Sequence, residues 1–321
     1  MMFVVAWFCT MGAWAFEANG IYYGITSTSN KTVEVMAGET QYSGDVTIPA
    51  TVAYDGITYR VTSIGNSAFY RCSSLASITL PESLSSIGDY AFGGCSSLQS
   101  IEVAEGNVNY ASIDGVLFDK NVTTLITCPE GRQGDYKLPN GVTSIGDYAF
   151  SGCSSLTSIT IPKGVTSIGE NAFYYCSSLT SIEIPEGVTS IEEYAFNNCS
   201  SLASIVIPEG VTEIESRTFY NCSSLTSITL PESLTSIGEY VFSGCSSLAS
   251  IVIPERVTTI GEYVFSGCSS LQSIEVDERN TNFKSIDGVL FNKDVTEILC
   301  CPARKSGTYT IPAGVMGTSI N

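Results

Sequence analysis

The sequence predicts a repeat solenoid. It reads as stacked coils of 23 residues, each a short strand plus a short helix or 3-10 turn, behind a small N-terminal antiparallel β cap. Three observations carry this. Phe150, Phe173, Phe196, Phe219, Phe242 and Phe265 stand 23 apart, as do Phe69 and Phe92. Each of the eight is followed three residues later by a cysteine (Cys72, Cys95, Cys153, Cys176, Cys199, Cys222, Cys245, Cys268), then by two serines and a leucine. A unit of this kind is too small to bury its own apolar face, so neighbouring copies must stack.

The elements follow in chain order. Met1 to Ala15 is an uncharged apolar run ending in Ala13-Trp14-Ala15. It is shorter than the roughly 20 residues a membrane span needs. It reads as a signal peptide over 1–15, although no Lys or Arg precedes it; a buried strand is the alternative. Residues 16–60 alternate apolar and polar residues (IYYGIT, TVEVMA, DVTIPATV, GITYRV), the pattern of a β-rich cap over the open first coil. The solenoid then occupies 61–321.

One unit runs VTSIGDYAFSGCSSLTSITIPKG over residues 142–164. Leu156, Ile159 and Ile161 mark a short half-buried strand, which Pro162 ends because it lacks an N–H. Ile145, Ala149 and Cys153 share one face of a short helix or 3-10 turn, with Phe150 beside them. Two longer coils interrupt the series, at about 101–140 and about 274–313. They share SIDGVLF, at 112–118 and 285–291. Asp-Gly between alternating apolar residues predicts a β-hairpin in each.

Composition removes several functions. The chain has 321 residues, 14 Lys+Arg against 32 Asp+Glu, a net charge of −18 and no histidine. An acidic surface does not track nucleic-acid phosphates. A Ser/His/Asp triad and a His-ligated zinc are excluded outright. There is no GxSxG, Walker A, GxGxxG or calcium-loop pattern. No catalytic, cofactor-binding or metal-ligating residue is expected.

Leu156-x-x-Ile159-x-Ile161, with Val165 and Ile168 after it, resembles the signature of leucine-rich repeats. The Ile-Gly-x-x-Ala-Phe-x-x-Cys-Ser-Ser-Leu core is similar to the BspA-like class of them, over about 61–321. One departure is that the usual ladder asparagine is mostly Gly or Ser (Gly141, Gly164, Gly187, Ser233). The CSS serines are expected to satisfy backbone groups instead. The resemblance implies a secreted or cell-surface protein that adheres to extracellular or cell-surface proteins, with no membrane span in the mature chain.

The repeat cysteines read as a buried thiol ladder, since Cys is among the most buried residue types. Repeated acids such as Glu170 and Glu193, Glu239 and Glu262, or Glu186 and Glu209 read as a solvated edge, because a catalytic pair is singular and these recur. Two surfaces remain as candidate partner sites. Tyr90, Tyr148, Tyr194, Tyr240 and Tyr263 share one outward position, either as contact rings or as rings lying flat over the next coil. Ser158, Thr160, Ser181, Glu183, Ser227 and Thr229 line the strand face, which is flat and hydroxyl-rich. Glycans stacked on the tyrosine rows are the alternative ligand class.

Overall fold

The computed structural model describes residues 15–318. The expected signal peptide therefore falls almost wholly outside the described residues; Ala15 is the first residue of a strand. The chain divides into two compact units, one through Lys120 and one from Asn121.

In the first unit, strands Ala15–Ala18, Ile21–Ser27 and Thr32–Met36 pair antiparallel in sequence. Thr51–Tyr54 and Ile57–Ile64 form a hairpin. The cap is not wholly antiparallel as expected: Thr32–Met36 lies parallel to Ile57–Ile64, with Val33 opposite Val61. The chain leaves this sheet between them, and the Asp55-Gly56 turn sends it back in the direction it left. On that excursion Ser43–Thr47 becomes the first strand of a second sheet, with Ser74–Leu80 and Ser100–Val103. The cap thus donates a strand to each ladder of coils, Val46 beside Ile78 and Ile64 beside Ile87. Tyr42 continues the aromatic stack, 4.8 Å from Phe69.

The second unit carries two parallel ladders. The first runs Gly134–Lys137, Leu156–Thr160, Ser181–Ile182, Ser204–Val206 and Ser227–Thr229, with Ser250–Ile253 and Ser273–Val276 paired beyond it. The second was not anticipated. It is built of Ser-Ile pairs such as Ser144–Ile145, Ser167–Ile168 and Ser190–Ile191. Each turn between the strands closes over proline, as where Val165 N donates to Pro162 O at 3.1 Å.

The helix or 3-10 turn expected around Phe150 is absent; among the described residues every regular element is a strand. The reason lies in alternate backbone donors. Ala149, Ser151 and Cys153 donate back three residues within their own coil. Tyr148, Phe150 and Gly152 donate forward to Glu170, Ala172 and Tyr174 of the next coil, at 2.7–2.9 Å. A helix would keep all of these donors to itself. Tyr148 at φ 57° and Gly152 at φ 76° are left-handed and break the run every fourth residue. The result is a staircase of turns bonded coil to coil.

The inward face is nonetheless the one the spacing predicts. Ile145, Ala149, Phe150 and Cys153 are buried. Phe150, Phe173, Phe196, Phe219, Phe242 and Phe265 stack in a column with centroids 5.0–5.9 Å apart and planes within 15°. The CSS serines do bond backbone, but in their own turn: Ser223 Oγ donates to Ser200 O and Ser246 Oγ to Ser223 O.

Both Asp-Gly hairpins form, Tyr110–Ile113 with Val116–Asp119 and Phe283–Ile286 with Val289–Asn292. Each is laid against the last strand of its unit's first ladder. Ile101 N donates to Gly115 O and Ile274 N to Gly288 O. A Cβ on Gly115 would sit 2.6 Å from Ser100 Cβ, so glycine is needed there for close approach as well as for φ 74°. Among the described residues no helix is long and apolar enough to cross a membrane.

Candidate binding surface

The first-ladder face of the second unit presents one side chain per coil at each outward position. Ser158, Ser181, Ser204 and Ser227 are in register. Thr160, Val206 and Thr229 lie two residues further on and are exposed; Glu183 is exposed at the same repeat position but just beyond the end of its strand. The row starts at Asp135, whose carboxylate accepts from Ser158 Oγ at 2.6 Å and Thr157 Oγ1 at 3.0 Å. Those hydroxyls hold the Asp135 carboxyl below the usual carboxylate range. Ser158 is thus committed to its neighbour, while Ser181 and Ser227 stay exposed. Two apolar side chains sit bare among the hydroxyls, Val206 at 60% and Val252 at 58% exposure.

The tyrosine row occupies a different site from the helix face expected of it. Tyr90, Tyr148, Tyr194, Tyr240 and Tyr263 are the left-handed corners of the staircase, with φ of 54–57°. The position recurs as Asn171 and Arg217 in the two coils that lack the tyrosine. A left-handed corner throws its side chain clear of the stack, but it strains any residue with a Cβ. Tyr90 and Tyr263 are exposed, at 52% and 40%; Tyr148, Tyr194 and Tyr240 are half-buried.

In the second unit these rings are organised along the stack. Tyr240 and Tyr263 stack at 5.0 Å, 18° apart. Between Tyr194 and Tyr240 lies the guanidinium of Arg217, 5.6 Å and 4.7 Å from the two ring centroids. Its Nη1 donates to the Tyr194 hydroxyl at 2.9 Å. Arg217 escaped notice in the sequence because it interrupts the tyrosine row; its register, 23 residues from both Tyr194 and Tyr240, is the signal that marks it.

Carboxylates flank this ridge. Asp147, Glu170, Glu193, Glu239 and Glu262 each precede a corner residue and are exposed. Glu215 is raised above the ordinary glutamate value, first by partial burial and then by Glu213, Glu192 and Glu193 nearby. Arg217 has no carboxylate within 4.0 Å; among the described residues the ion pairs belong to Arg279, with Glu255 at 2.9 Å, Asp277 at 3.1 Å and Glu232 at 3.8 Å.

The cysteines are buried as expected, and the ladder they form is hydrogen-bonded. Cys176, Cys199, Cys222, Cys245 and Cys268 each donate Sγ–H to the carbonyl of the phenylalanine one coil back, at 3.1–3.2 Å. Burial pushes these thiols well above their ordinary value. Cys301 is exposed.

Two asparagines also went unread. Asn107 and Asn280 are wholly buried where the long coils leave the repeat. Asn280 Nδ2 donates to Pro254 O and Val257 O, and its Oδ1 accepts from Asn282 N and Phe283 N, all at 2.8–3.0 Å. Asn107 repeats the pattern on Pro81, Leu84, Asn109 and Tyr110. These are the ladder asparagines missing from the short coils.

The family described as BspA type Leucine rich repeat region matches residues 56–133, 132–223 and 189–300. A leucine-rich repeat protein from Eubacterium ventriosum ATCC 27560 is 23% identical over 85% of this chain and 98% of its own, with a TM-score of 0.54. A leucine rich cell surface protein from Faecalibacterium prausnitzii A2-165 is 28% identical over 94% of this chain, with a TM-score of 0.44; this chain covers 65% of its length. The pneumococcal vaccine antigen PcpA is 19% identical over 94% of this chain and 92% of its own, with a TM-score of 0.44. No curated protein matches the chain significantly. With repeats of this type matched across most of its length, the chain belongs to the BspA-type leucine-rich repeat proteins.

Proposed function

We propose that the chain is a secreted or cell-surface protein that binds other extracellular proteins along its coils and catalyses no reaction. The apolar run 1–15 is its secretion signal in this reading. The observation that carries it is the first-ladder face of the second unit. There a flat parallel sheet offers hydroxyls in register and leaves Val206 and Val252 bare in solvent. Apolar side chains framed by hydroxyls on a rigid sheet suit protein docking, with each coil adding a small contact.

Glycan stacking is the weaker alternative. A sugar needs an open ring face, whereas Tyr240 faces Tyr263 on one side and Arg217 on the other. The test is an array of extracellular-matrix proteins beside a glycan array. Binding to proteins, weakened by Ser227→Arg or Thr229→Arg with the fold intact, supports the reading. Binding to glycans alone contradicts it.

A further inference from the structure

The corner row of the second unit reads Tyr148, Asn171, Tyr194, Arg217, Tyr240, Tyr263. Corners two coils apart are about 10 Å from each other, twice the strand spacing. That gap admits one planar group between two rings. Arg217 shows the arrangement filled, its guanidinium flat enough to lie 5.6 Å from one ring centroid and 4.7 Å from the other. What holds it is ring faces and one tyrosine hydroxyl, with no carboxylate in contact. Asn171 holds the same register between Tyr148 and Tyr194. It carries no cation, and its Nδ2 is turned aside to Glu170 Oε1 at 2.9 Å. Exposed carboxylates line the ridge at Asp147, Glu170, Glu192, Glu193, Glu213, Glu239 and Glu262, and Arg217 is the one basic residue among the corners.

We propose that this ridge docks an extended, arginine-rich segment of a partner protein, its guanidinium groups taking places between corner side chains as Arg217 already does. The carboxylates supply long-range attraction, which any cation would feel. The rings supply choice, because a guanidinium is planar, weakly hydrated and stacks on aromatic faces, whereas a lysine ammonium is compact and strongly hydrated. The inference rests on the protein-binding reading but assigns a second surface, away from the first-ladder face, and a partner chemistry.

The test uses the full chain and two short peptides, alternating Arg-Ser and alternating Lys-Ser, of equal length and charge. At one fixed salt concentration the arginine peptide should bind about 10-fold tighter than the lysine peptide. Asn171→Arg fills the vacant register from within and should cut that preference; Arg217→Asn empties the occupied one and should raise it. Tyr240→Ala should reduce it, and Thr229→Arg, on the other face, should leave it unchanged. Thermal unfolding of each variant separates lost binding from lost folding. Equal affinity for the two peptides, or a preference indifferent to both corner exchanges in folded variants, overturns the proposal. The two readings fail separately. Protein partners lost with Thr229→Arg but unaffected at the ridge sink the inference alone. Arginine preference at the ridge with no protein bound on any array sinks the function reading alone.

Discussion

Cys199 Sγ donates to the carbonyl of Phe173, 3.2 Å away in the preceding coil, and the same bond recurs at one thiol per coil. The carbonyl also takes the Cys176 backbone N–H, so its second lone pair is what the thiol satisfies. A side chain that reads as a small hydrophobe is therefore also a rung between coils.

The thiols make the fold sensitive to alkali. An unfolded thiol ionises near pH 8.5. In the folded chain burial pushes Cys300 up to about 11 and Cys268 to about 12, with Cys199, Cys222 and Cys245 well above the ordinary value. The native state thus holds protons that the unfolded state releases. Their contribution is complete below the unfolded value and falls away as pH climbs toward the folded values. Urea midpoints should be flat to about pH 8 and then drop steeply, and Cys222→Ala should shallow the drop. Thiol-reactive dye should label Cys301 quickly and the ladder cysteines only on unfolding.

Phe196 lies between Phe173 at 5.0 Å and Phe219 at 5.5 Å, wholly buried. Phe196→Ala should cost about 3–5 kcal/mol by chemical denaturation. Hydrogen exchange should quicken in the coils on either side as well, because each coil is stabilised by its interfaces. An unchanged midpoint would mean that the column is not what holds the coils together.

Asn280 makes four hydrogen bonds from a buried site, two as donor and two as acceptor. Asn280→Ala strands two carbonyls and two N–H groups, each at about 1–3 kcal/mol before relaxation. Asn280→Asp should be at least as damaging, because it keeps the acceptors but sets a carboxylate against the Pro254 and Val257 carbonyls. Melting curves of both variants check the order.

Glu215 carries the opposite lesson to the usual acid. Its folded value is raised by partial burial and by Glu213, Glu192 and Glu193, so the native state binds its proton more tightly than the unfolded state does. Ionised Glu215 is therefore a cost, absent below the unfolded glutamate value near 4.3 and growing as pH rises through the folded value. Glu215→Gln should raise the melting temperature at pH 7 but not at pH 4, and added salt should shrink the gain.

What could be read from residues alone follows the physics of each feature. The inward face was legible because Phe150, Cys153, Leu156 and Ile159 repeat with their spacing intact, and burial depends on little else. The local path was not. Ile145, Ala149 and Cys153 fit a helix face equally well, and only the left-handed corners at Tyr148 and Gly152, which send alternate N–H groups to the next coil, decide against it. A two-residue strand such as Ser144–Ile145 exists only through its neighbours, so no window of sequence announces it. The Asp114-Gly115 hairpin was plain, since that dipeptide dictates its own turn. Of the candidate surface, the rows were visible as register. The bond that commits Ser158 to Asp135, and the place of Arg217 between two rings, arise across coils and needed the structure.

The most direct test of a surface spread over many coils is a hydrogen-exchange footprint of the full chain with a protein partner found on the matrix array. The account predicts partial protection recurring at 23-residue intervals through the second unit, on the first-ladder strands from Leu156–Thr160 to Ser250–Ile253 and on the corners near Tyr148, Tyr194 and Tyr240. Strong protection confined to one short contiguous segment would contradict it and point to a single specific pocket.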